Sequence, residues 1–325
     1  MSSALAVENY YRVPGGAAAV RRVGDDLVRV DTGQGAGVVR DAERRFVWQY
    51  GGPADLIERI QSEQAVWDGW ADTERQELQG ITPLPPESRD ENWWENPQYG
   101  DPGVVRTILE TPELRAMKGM RILDIGGSVK DTWNFVWRGD AARVEQVDVS
   151  AESQLLGYRK LQTRFRSRPE LVERFVFHTT AAEALPFADG SFDLVFSRST
   201  IHHTSRVHAF PEIHRVLRPN GIFWMLEPRL PAPIYAVMKF LRTVRQAHRG
   251  TDDPLRNFEL RRLGELMPIE RVYGVRILTP YAKFLGASPT SSIRATVAKL
   301  DRAIVTGYIG RRLAHAISLV ARKSR

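Results

Sequence analysis

Two carboxylates and a pair of glycines form the most informative pattern in the sequence. The apolar run Arg121–Ile125 contains Asp124 and leads directly into Gly126 and Gly127. Glycine lets the backbone approach a ligand closely, and a strand that ends in such a turn is typical of cofactor sites in parallel α/β sheets. Because a carboxylate would repel the phosphates of a dinucleotide, we expect this turn to bind a cationic ligand.

A second acid follows at a spacing that suits a nucleoside. Asp148 lies 24 residues beyond Asp124, at the end of the second predicted strand. An acid about 20 residues past the glycine turn can accept hydrogen bonds from both ribose hydroxyls. Each acid alone also has a structural interpretation, with Asp124 as a helix cap and Asp148 as a turn residue. Their joint spacing favours ligand contact.

The same residues carry a family resemblance. Leu123-Asp124-Ile125-Gly126 resembles the first motif of class I S-adenosylmethionine-dependent methyltransferases, D-x-G-x-G-x-G. Further landmarks follow in the family's order: Val147-Asp148, Ala182–Phe187, Ser191–Ser197 and Glu212–Gly221. Five landmarks in order within residues 123–221 argue against a chance match. The domain that they imply, residues 104–325, makes up about two thirds of the chain. The resemblance implies a Rossmann-like, mostly parallel sheet closed by an antiparallel hairpin, with S-adenosylmethionine as the cofactor.

The resemblance also implies roles for particular residues in cofactor binding. Asp124 would hold the ammonium end, directly or through water, and Gly126 and Gly127 would pass close to the amino-acid tail. Ala182 and Glu183 would flank adenine, although a helix-capping glutamate gives the same pattern as Glu183.

The end of the fourth predicted strand carries the remaining candidates. By the resemblance, Ser197 would face the methionine part of the cofactor. His202 and His203, just beyond it, are the candidate catalytic bases because histidine titrates near neutral pH. The family often has histidine here without a catalytic role, so a structural interpretation stays open. Methyl transfer itself chiefly requires that nucleophile and methyl group be aligned.

The chain departs from the family at two positions of the glycine turn. Ser128 and Lys130 stand where the family usually has glycine. Serine is small and can cap the next helix, whereas a lysine either points to solvent or crowds the contact between helix and strand. The departure leaves open a protein of this fold that binds cofactor without turnover, or that has lost the cofactor.

Strand–helix alternation from residue 104 onward predicts an α/β domain. The pattern begins with a lead-in helix over residues 104–114, and the predicted strands cover residues 121–125, 144–149, 175–179, 192–196, 222–226, 271–278 and 316–322. Before it we expect a small β-rich leader over residues 1–60 and a helix and linker over residues 61–103. The domain itself covers residues 104–325, with a cap region at about residues 230–268. The leader faintly resembles the zinc-ribbon-like unit of some methyltransferases, but without cysteine we expect no metal site. The apolar spacing over residues 54–80 predicts a helix that packs on the core or closes over the cofactor.

Composition narrows the class of protein. The 325 residues include no cysteine, which excludes disulfides, thiolate metal sites and a cysteine nucleophile. No apolar run reaches the roughly 20 residues that span a bilayer, and the N-terminus lacks the layout of a signal peptide. We therefore expect a cytoplasmic protein without a transmembrane segment.

The net charge of +7 is unevenly distributed. Residues 1–100 carry 10 basic and 17 acidic side chains, whereas residues 230–325 carry 18 and 6. The basic C-terminal third is either a solvated face, a surface for the acidic leader, or a site for nucleic acid or anionic lipid. The sequence does not indicate the oligomeric state.

The favoured function is methyl transfer to a small-molecule acceptor. The alternatives are an RNA methyltransferase, suggested by the basic C-terminal third, and a methyltransferase-like scaffold without turnover. A dehydrogenase is disfavoured because the G-x-G-x-x-G pattern is absent and an acid stands at the turn.

Overall fold

The computed structural model describes residues 54–77, 111–115, 117–126, 132–229, 254–277 and 313–325. It also describes strand segments between residues 12 and 49 and four helical positions between residues 296 and 304. For the strand segments and for residues 70–77 it describes the backbone alone.

Most of the described chain is organised around strands. They are β1 (Arg12–Val13), β2 (Gly16–Ala17), β3 (Ala19–Arg22), β4 (Leu27–Thr32), β5 (Gly35–Arg40), β6 (Arg45–Gln49), β7 (Arg121–Ile125), β8 (Arg143–Asp148), β9 (Phe175–Thr179), β10 (Phe192–Arg198), β11 (Leu217–Pro228), β12 (Ile269–Arg276) and β13 (Ala316–Arg322). The helices are α1 (Ala54–Glu77), α2 (Thr132–Trp137), α3 (Ala151–Arg164), α4 (Arg206–Val216) and α5 (Asn257–Leu266). Short 3-10 turns lie at Pro112–Arg115, Pro169–Arg174 and Ile201–His203.

Eleven strands form one mixed sheet in the order β12-β13-β11-β10-β7-β8-β9-β6-β5-β4-β3. The six strands from β11 to β6 in that order run parallel to their neighbours. Strands β12 and β13 close one side antiparallel to β11, and β3–β6 form an antiparallel meander on the other side. The chain moves outward from β7 in both directions, so the switch point of the sheet lies between β7 and β10.

Both faces of the sheet are covered, which explains why its central strands are almost continuously buried. Every residue of β9 and four of the five residues of β7 are buried. On one face Leu123 packs in a cluster with Phe210 of α4 and Leu263 of α5. On the other face Ile122 shares a cluster with Phe135 of α2. The alternation of side chains along β7 therefore places Asp124 on the face that α2 covers.

The predicted Rossmann-like fold is confirmed, including the closing antiparallel strands. The bounds predicted for β7, β9 and β13 match the structure, while β11 is longer than the predicted 222–226. A lead-in helix was expected over residues 104–114, but its described end, Pro112–Arg115, is a 3-10 turn. Within the predicted cap region, α5 lies among the described residues and residues 230–253 lie outside them.

The boundary predicted for the leader at residue 60 does not coincide with the end of an element in the structure. Its last strand, β6, pairs in parallel with β9, and helix α1 runs across the boundary placed at residue 60. The division of the chain into domains stays a prediction. Among the helices that the structure describes, none has the length and hydropathy needed to cross a bilayer.

Candidate active site

A cleft lies at the carboxyl ends of β7, β8, β9 and β10, where helix α1 forms its outer wall. Its volume, including the open mouth, is about 590 Å³. The strand ends and the loops that follow them contribute Ile125, Gly126, Val147, Asp148, Val149, Thr180, Ala182, Glu183, Ser199, Thr200, His203 and Thr204. Helix α1 contributes Arg59, Ile60, Glu63 and Trp67. The cleft thus opens at the switch point, where sheets of this kind bind ligands.

Gly126 and Thr200 close the floor of the cleft. Gly126 has a φ of +70°, and a Cβ placed there would lie 2.0 Å from Oγ1 of Thr200. The Thr200 hydroxyl donates hydrogen bonds to the carbonyls of Gly126 and Arg198, each at 3.2 Å. The turn after β7 and the turn after β10 therefore touch through a threonine and a residue that must be glycine.

Asp148 lies in the cleft at the end of β8, as the sequence predicts. Its Oδ1 accepts a hydrogen bond of 2.8 Å from the backbone of Ser150. Ser150 in turn caps α3 by accepting from Ser153 N at 3.1 Å and donates to Asp68 of α1 at 2.5 Å. The carboxylate is thereby fixed in the turn between β8 and α3.

Asp124 and Ser197 do not line the cleft. Asp124 is buried beneath the glycine turn, where its Oδ2 accepts from Thr132 at 2.7 Å and from Gln146 at 3.1 Å. Ser197 is buried between strands and donates to the carbonyl of Ile125 at 3.3 Å. In this structure the two side chains bond to neighbouring strands and to α2.

Ala182 and Glu183 line the cleft beyond β9. Oε1 of Glu183 accepts a hydrogen bond of 2.6 Å from the backbone of Ser205. Burial raises the pKa of this carboxyl, although the Ser205 hydrogen bond and the charge of Arg59 act in the opposite direction. Glu183 therefore ties the loop after β9 to the start of α4 while facing the cleft.

The two candidate bases have different surroundings. Nδ1 of His202 lies 2.7 Å from Oε2 of the fully buried Glu227. Glu227 also accepts from the backbone amides of Thr200 and Ile201, at 3.0 and 2.9 Å. His202 is buried and does not line the cleft, so this carboxylate holds the loop after β10 in place.

His203 lies in the cleft against helix α1. Its Nδ1 is 3.5 Å from Oε2 of Glu63, and its ring meets the indole of Trp67 edge-on with centroids 5.5 Å apart. The indole nitrogen of Trp67 donates to the same Glu63 oxygen at 3.2 Å. Nη2 of Arg59 donates to the carbonyls of His203 and Thr204, at 3.0 and 3.2 Å. Glu63 and Trp67 thus lie against the imidazole, while Arg59 of the same helix binds the backbone of this loop.

Carboxylates dominate the charge of the cleft. Asp148, Glu63 and Glu183 line it, and Arg59, the guanidinium among the described lining residues, donates to backbone carbonyls. A carboxylate-rich, partly buried site attracts a cationic ligand and disfavours a pyrophosphate. The described residues do not include Gly127, which was predicted to contact the cofactor, or the two departures from the family pattern, Ser128 and Lys130.

Comparison with known proteins agrees with this geometry. Residues 123–225 match the family model for the methyltransferase domain. This segment runs from β7 into β11 and includes every cleft residue outside α1. Residues 123–225 therefore form a methyltransferase domain of the kind that the sequence resemblance implies.

The methyltransferase domain resembles several curated relatives. Over 138 residues the chain is 35% identical to the ubiquinone/menaquinone biosynthesis C-methyltransferase UbiE of Paracoccus denitrificans, a match that covers 41% of this chain and 53% of that protein. It is 33% identical over 135 residues to the methyltransferase GfsG of Streptomyces halstedii, covering 40% and 46% of the two chains. The match therefore spans about half the length of these relatives.

A solved structure supports the fold of the methyltransferase domain and of the strands around it. The geranyl diphosphate C-methyltransferase of Streptomyces coelicolor A3(2), solved with Mg²⁺, geranyl diphosphate and S-adenosylhomocysteine, aligns with a TM-score of 0.53 at 13% identity. The alignment covers 83% of this chain and all of that one. At this identity the likeness speaks to the fold alone.

The sequence predicted a helix that could close over the cofactor, but sequence reasoning did not identify the polar residues of α1 that line the cleft. Arg59, Glu63 and Trp67 recur at a spacing of four, so they share one face of α1 with the buried Leu56 and Ile60. Polar side chains on the otherwise apolar face of this helix were the feature of the sequence that could have indicated a site. Thr200, which touches Gly126, had no comparable signal because the two residues lie 74 positions apart.

Proposed function

We infer that this protein transfers a methyl group from S-adenosylmethionine to a small-molecule acceptor. The observation that supports this most strongly is the carboxylate-lined cleft at the switch point of a methyltransferase sheet. S-adenosylmethionine combines a sulfonium cation, an ammonium group and a ribose diol, and this charge pattern fits the cleft. When bound, it supplies an activated methyl group on a good leaving group.

Particular residues suit particular parts of that cofactor. Asp148 would accept hydrogen bonds from the ribose hydroxyls, because an ionised carboxylate can serve more than one donor. The backbone of Gly126 would lie along the amino-acid tail, since its lack of a side chain keeps the turn open. Ala182 and Glu183 would flank the adenine. Asp124 would hold the glycine turn in position from beneath, through its hydrogen bonds with Thr132 and Gln146.

Titration calorimetry with S-adenosylhomocysteine tests this assignment. Asp148→Ala should weaken binding by about 10- to 100-fold, because a hydrogen bond to a charged group contributes about 1.5–3 kcal/mol. The melting temperature of the free protein should change little, since the side chain is half-buried at a strand end.

The control is Glu170→Ala, which removes an exposed carboxylate on the 3-10 turn before β9. This variant should bind like the wild type. Wild-type protein that failed to bind S-adenosylhomocysteine would remove the proposed function, and an Asp148→Ala variant with unchanged affinity would remove Asp148 from the site.

The acceptor side of the cleft favours a compact organic molecule. Ile60, Trp67 and Val149 supply apolar walls, and UbiE and GfsG are similar proteins named as methyltransferases, the former in quinone biosynthesis. Transfer of labelled methyl groups to a panel of phenols, alcohols and amines would identify the acceptor class. The RNA alternative is not favoured, because the carboxylates of the cleft would repel a phosphate backbone.

A further inference from the structure

We propose that Glu63 of helix α1 positions His203 as the general base, so that the acceptor is a molecule with a dissociable O–H or N–H group. This inference rests on the proposed methyl transfer and adds a substrate class to it. It also assigns a positioning residue that lies outside the segment matched by the methyltransferase family.

The geometry around His203 is directional. Its Nδ1 is buried and lies 3.5 Å from Oε2 of Glu63, and it has no hydrogen-bond partner among the described residues. The side chain is 19% exposed, and with Nδ1 buried the accessible part of the ring is the side that carries Nε2. A proton on Nδ1 would face the carboxylate and leave the Nε2 lone pair toward the cleft.

Glu63 itself is held for this purpose. Its side chain is only 8% exposed, and the indole of Trp67 donates to the same oxygen that faces His203. Arg59 fixes the backbone on the other side by binding the carbonyls of His203 and Thr204. A base oriented by a buried carboxylate, which is itself held by a third group, is the arrangement expected of an activated proton acceptor.

The neighbouring pair of His202 and Glu227 does not offer the same chemistry. Its distance is shorter, at 2.7 Å, but His202 does not line the cleft. Glu227 also accepts from successive backbone amides, so it organises the loop that presents His203. Of the two histidines, only His203 lines the cleft, although its contact with Glu63 is longer than that between His202 and Glu227.

The step balances with the groups named. A lone pair on the acceptor oxygen or nitrogen forms the new bond to the methyl carbon, and the carbon–sulfur bond breaks with its electron pair retained by sulfur. The acceptor proton moves to Nε2 of His203. The resulting imidazolium faces the Glu63 carboxylate, which stabilises the positive charge until the proton leaves to water.

Histidine-selective ¹⁵N NMR tests the positioning without any acceptor. In the wild type, neutral His203 should carry its proton on Nδ1, and His203→Gln identifies the signal by its loss. Glu63→Met keeps the length of the side chain but removes the acceptor oxygen, so the ring should become a mixture of tautomers. Glu58→Gln, on the exposed part of the same helix, should keep the wild-type tautomer.

The outcomes are separable from those of the proposed function. A wild-type His203 with its proton on Nε2, or a Glu63→Met tautomer identical to the wild type, would overturn the inference even if S-adenosylhomocysteine binds normally. With an acceptor from the panel, Glu63→Met should lower kcat at least about 10-fold. Transfer confined to acceptors without an ionisable hydrogen would also refute it.

Discussion

At the scale of single residues, the contact between Gly126 and Thr200 explains why the glycine turn takes its shape. The turn must combine a left-handed backbone with the close approach of a second strand end. Any side chain at residue 126 faces both problems at once. The sequence predicted a glycine here because a ligand must approach the backbone closely. The structure adds a second reason, which is the contact with Thr200.

Gly126→Ala should lower the free energy of unfolding by about 2–5 kcal/mol. The left-handed backbone accounts for about 1–2 kcal/mol, and the overlap with Thr200 adds about 1–3 kcal/mol. Gly190→Ala is the matched control, because Gly190 also has a positive φ but its new Cβ would meet its nearest neighbour at 3.7 Å. It should cost only the backbone term. Urea unfolding compares the two, and equal losses would contradict the close contact.

A buried ionic cluster makes the fold sensitive to acid. Glu145 and His178 are fully buried on neighbouring strands, with Nε2 of His178 2.8 Å from Oε2 of Glu145. Burial lowers the pKa of His178 below 6.5, and Glu145 only partly offsets this effect. Burial alone would raise the pKa of Glu145, but the charge of Arg143 and the contact with His178 bring it well below 4.5.

Stability should therefore fall in two stages as the pH falls. His178 is neutral in the folded protein and takes up a proton in the unfolded chain below pH 6.5, so its contribution is complete above pH 6.5 and is lost below it. Glu145 adds a second loss below about pH 4.5. Each group changes the free energy of unfolding by at most about 1.4 kcal/mol per pH unit.

Urea unfolding between pH 7.5 and pH 5 measures the first stage. His178→Gln should flatten the slope in this range, whereas His208→Gln, at an exposed position of α4, should retain it. An unchanged slope in His178→Gln would mean that other groups govern the acid sensitivity.

At the scale of secondary structure, the sequence predicted where helices and strands lie better than it predicted which residues they contact. Parallel strands buried on both faces leave a strong apolar signal, and the predicted bounds of β7 and β9 match the structure. Helix α1 was also predicted, as a helix that packs on the core or closes over the cofactor. Leu56 and Ile60 pack against Ala181, while Glu63 and Trp67 line the cleft.

The candidate site shows the same limit of sequence reasoning. Residues at strand ends, such as Asp148, could be placed because parallel strands bring their carboxyl ends to one edge. The depth of a side chain could not be read from spacing, so Asp124 and Ser197 were expected in the cleft but lie beneath it. Glu63 was not found because its partner, His203, is 140 residues away.

At the scale of the whole molecule, the sheet continues beyond the methyltransferase domain. Strand β6 pairs with β9 through the register Arg45↔Phe177 to Val47↔Thr179, and β3–β5 extend the sheet from there. Since every residue of β9 is buried, the meander covers an apolar strand that would otherwise form an edge. Unpaired apolar edges promote association between chains.

Removal of residues 1–50 should therefore cause self-association and a lower melting temperature, because it uncovers the edge of β9. The cleft should persist, since α1 begins at Ala54 and the described cleft residues begin at Arg59.

Light scattering coupled to gel filtration measures the association, and calorimetry measures whether the truncated protein still binds S-adenosylhomocysteine. Removal of residues 1–18 keeps β3–β6 intact and should leave the association state of the full chain. If both truncations behaved alike, the meander would not protect β9, and the leader would act as a separate unit.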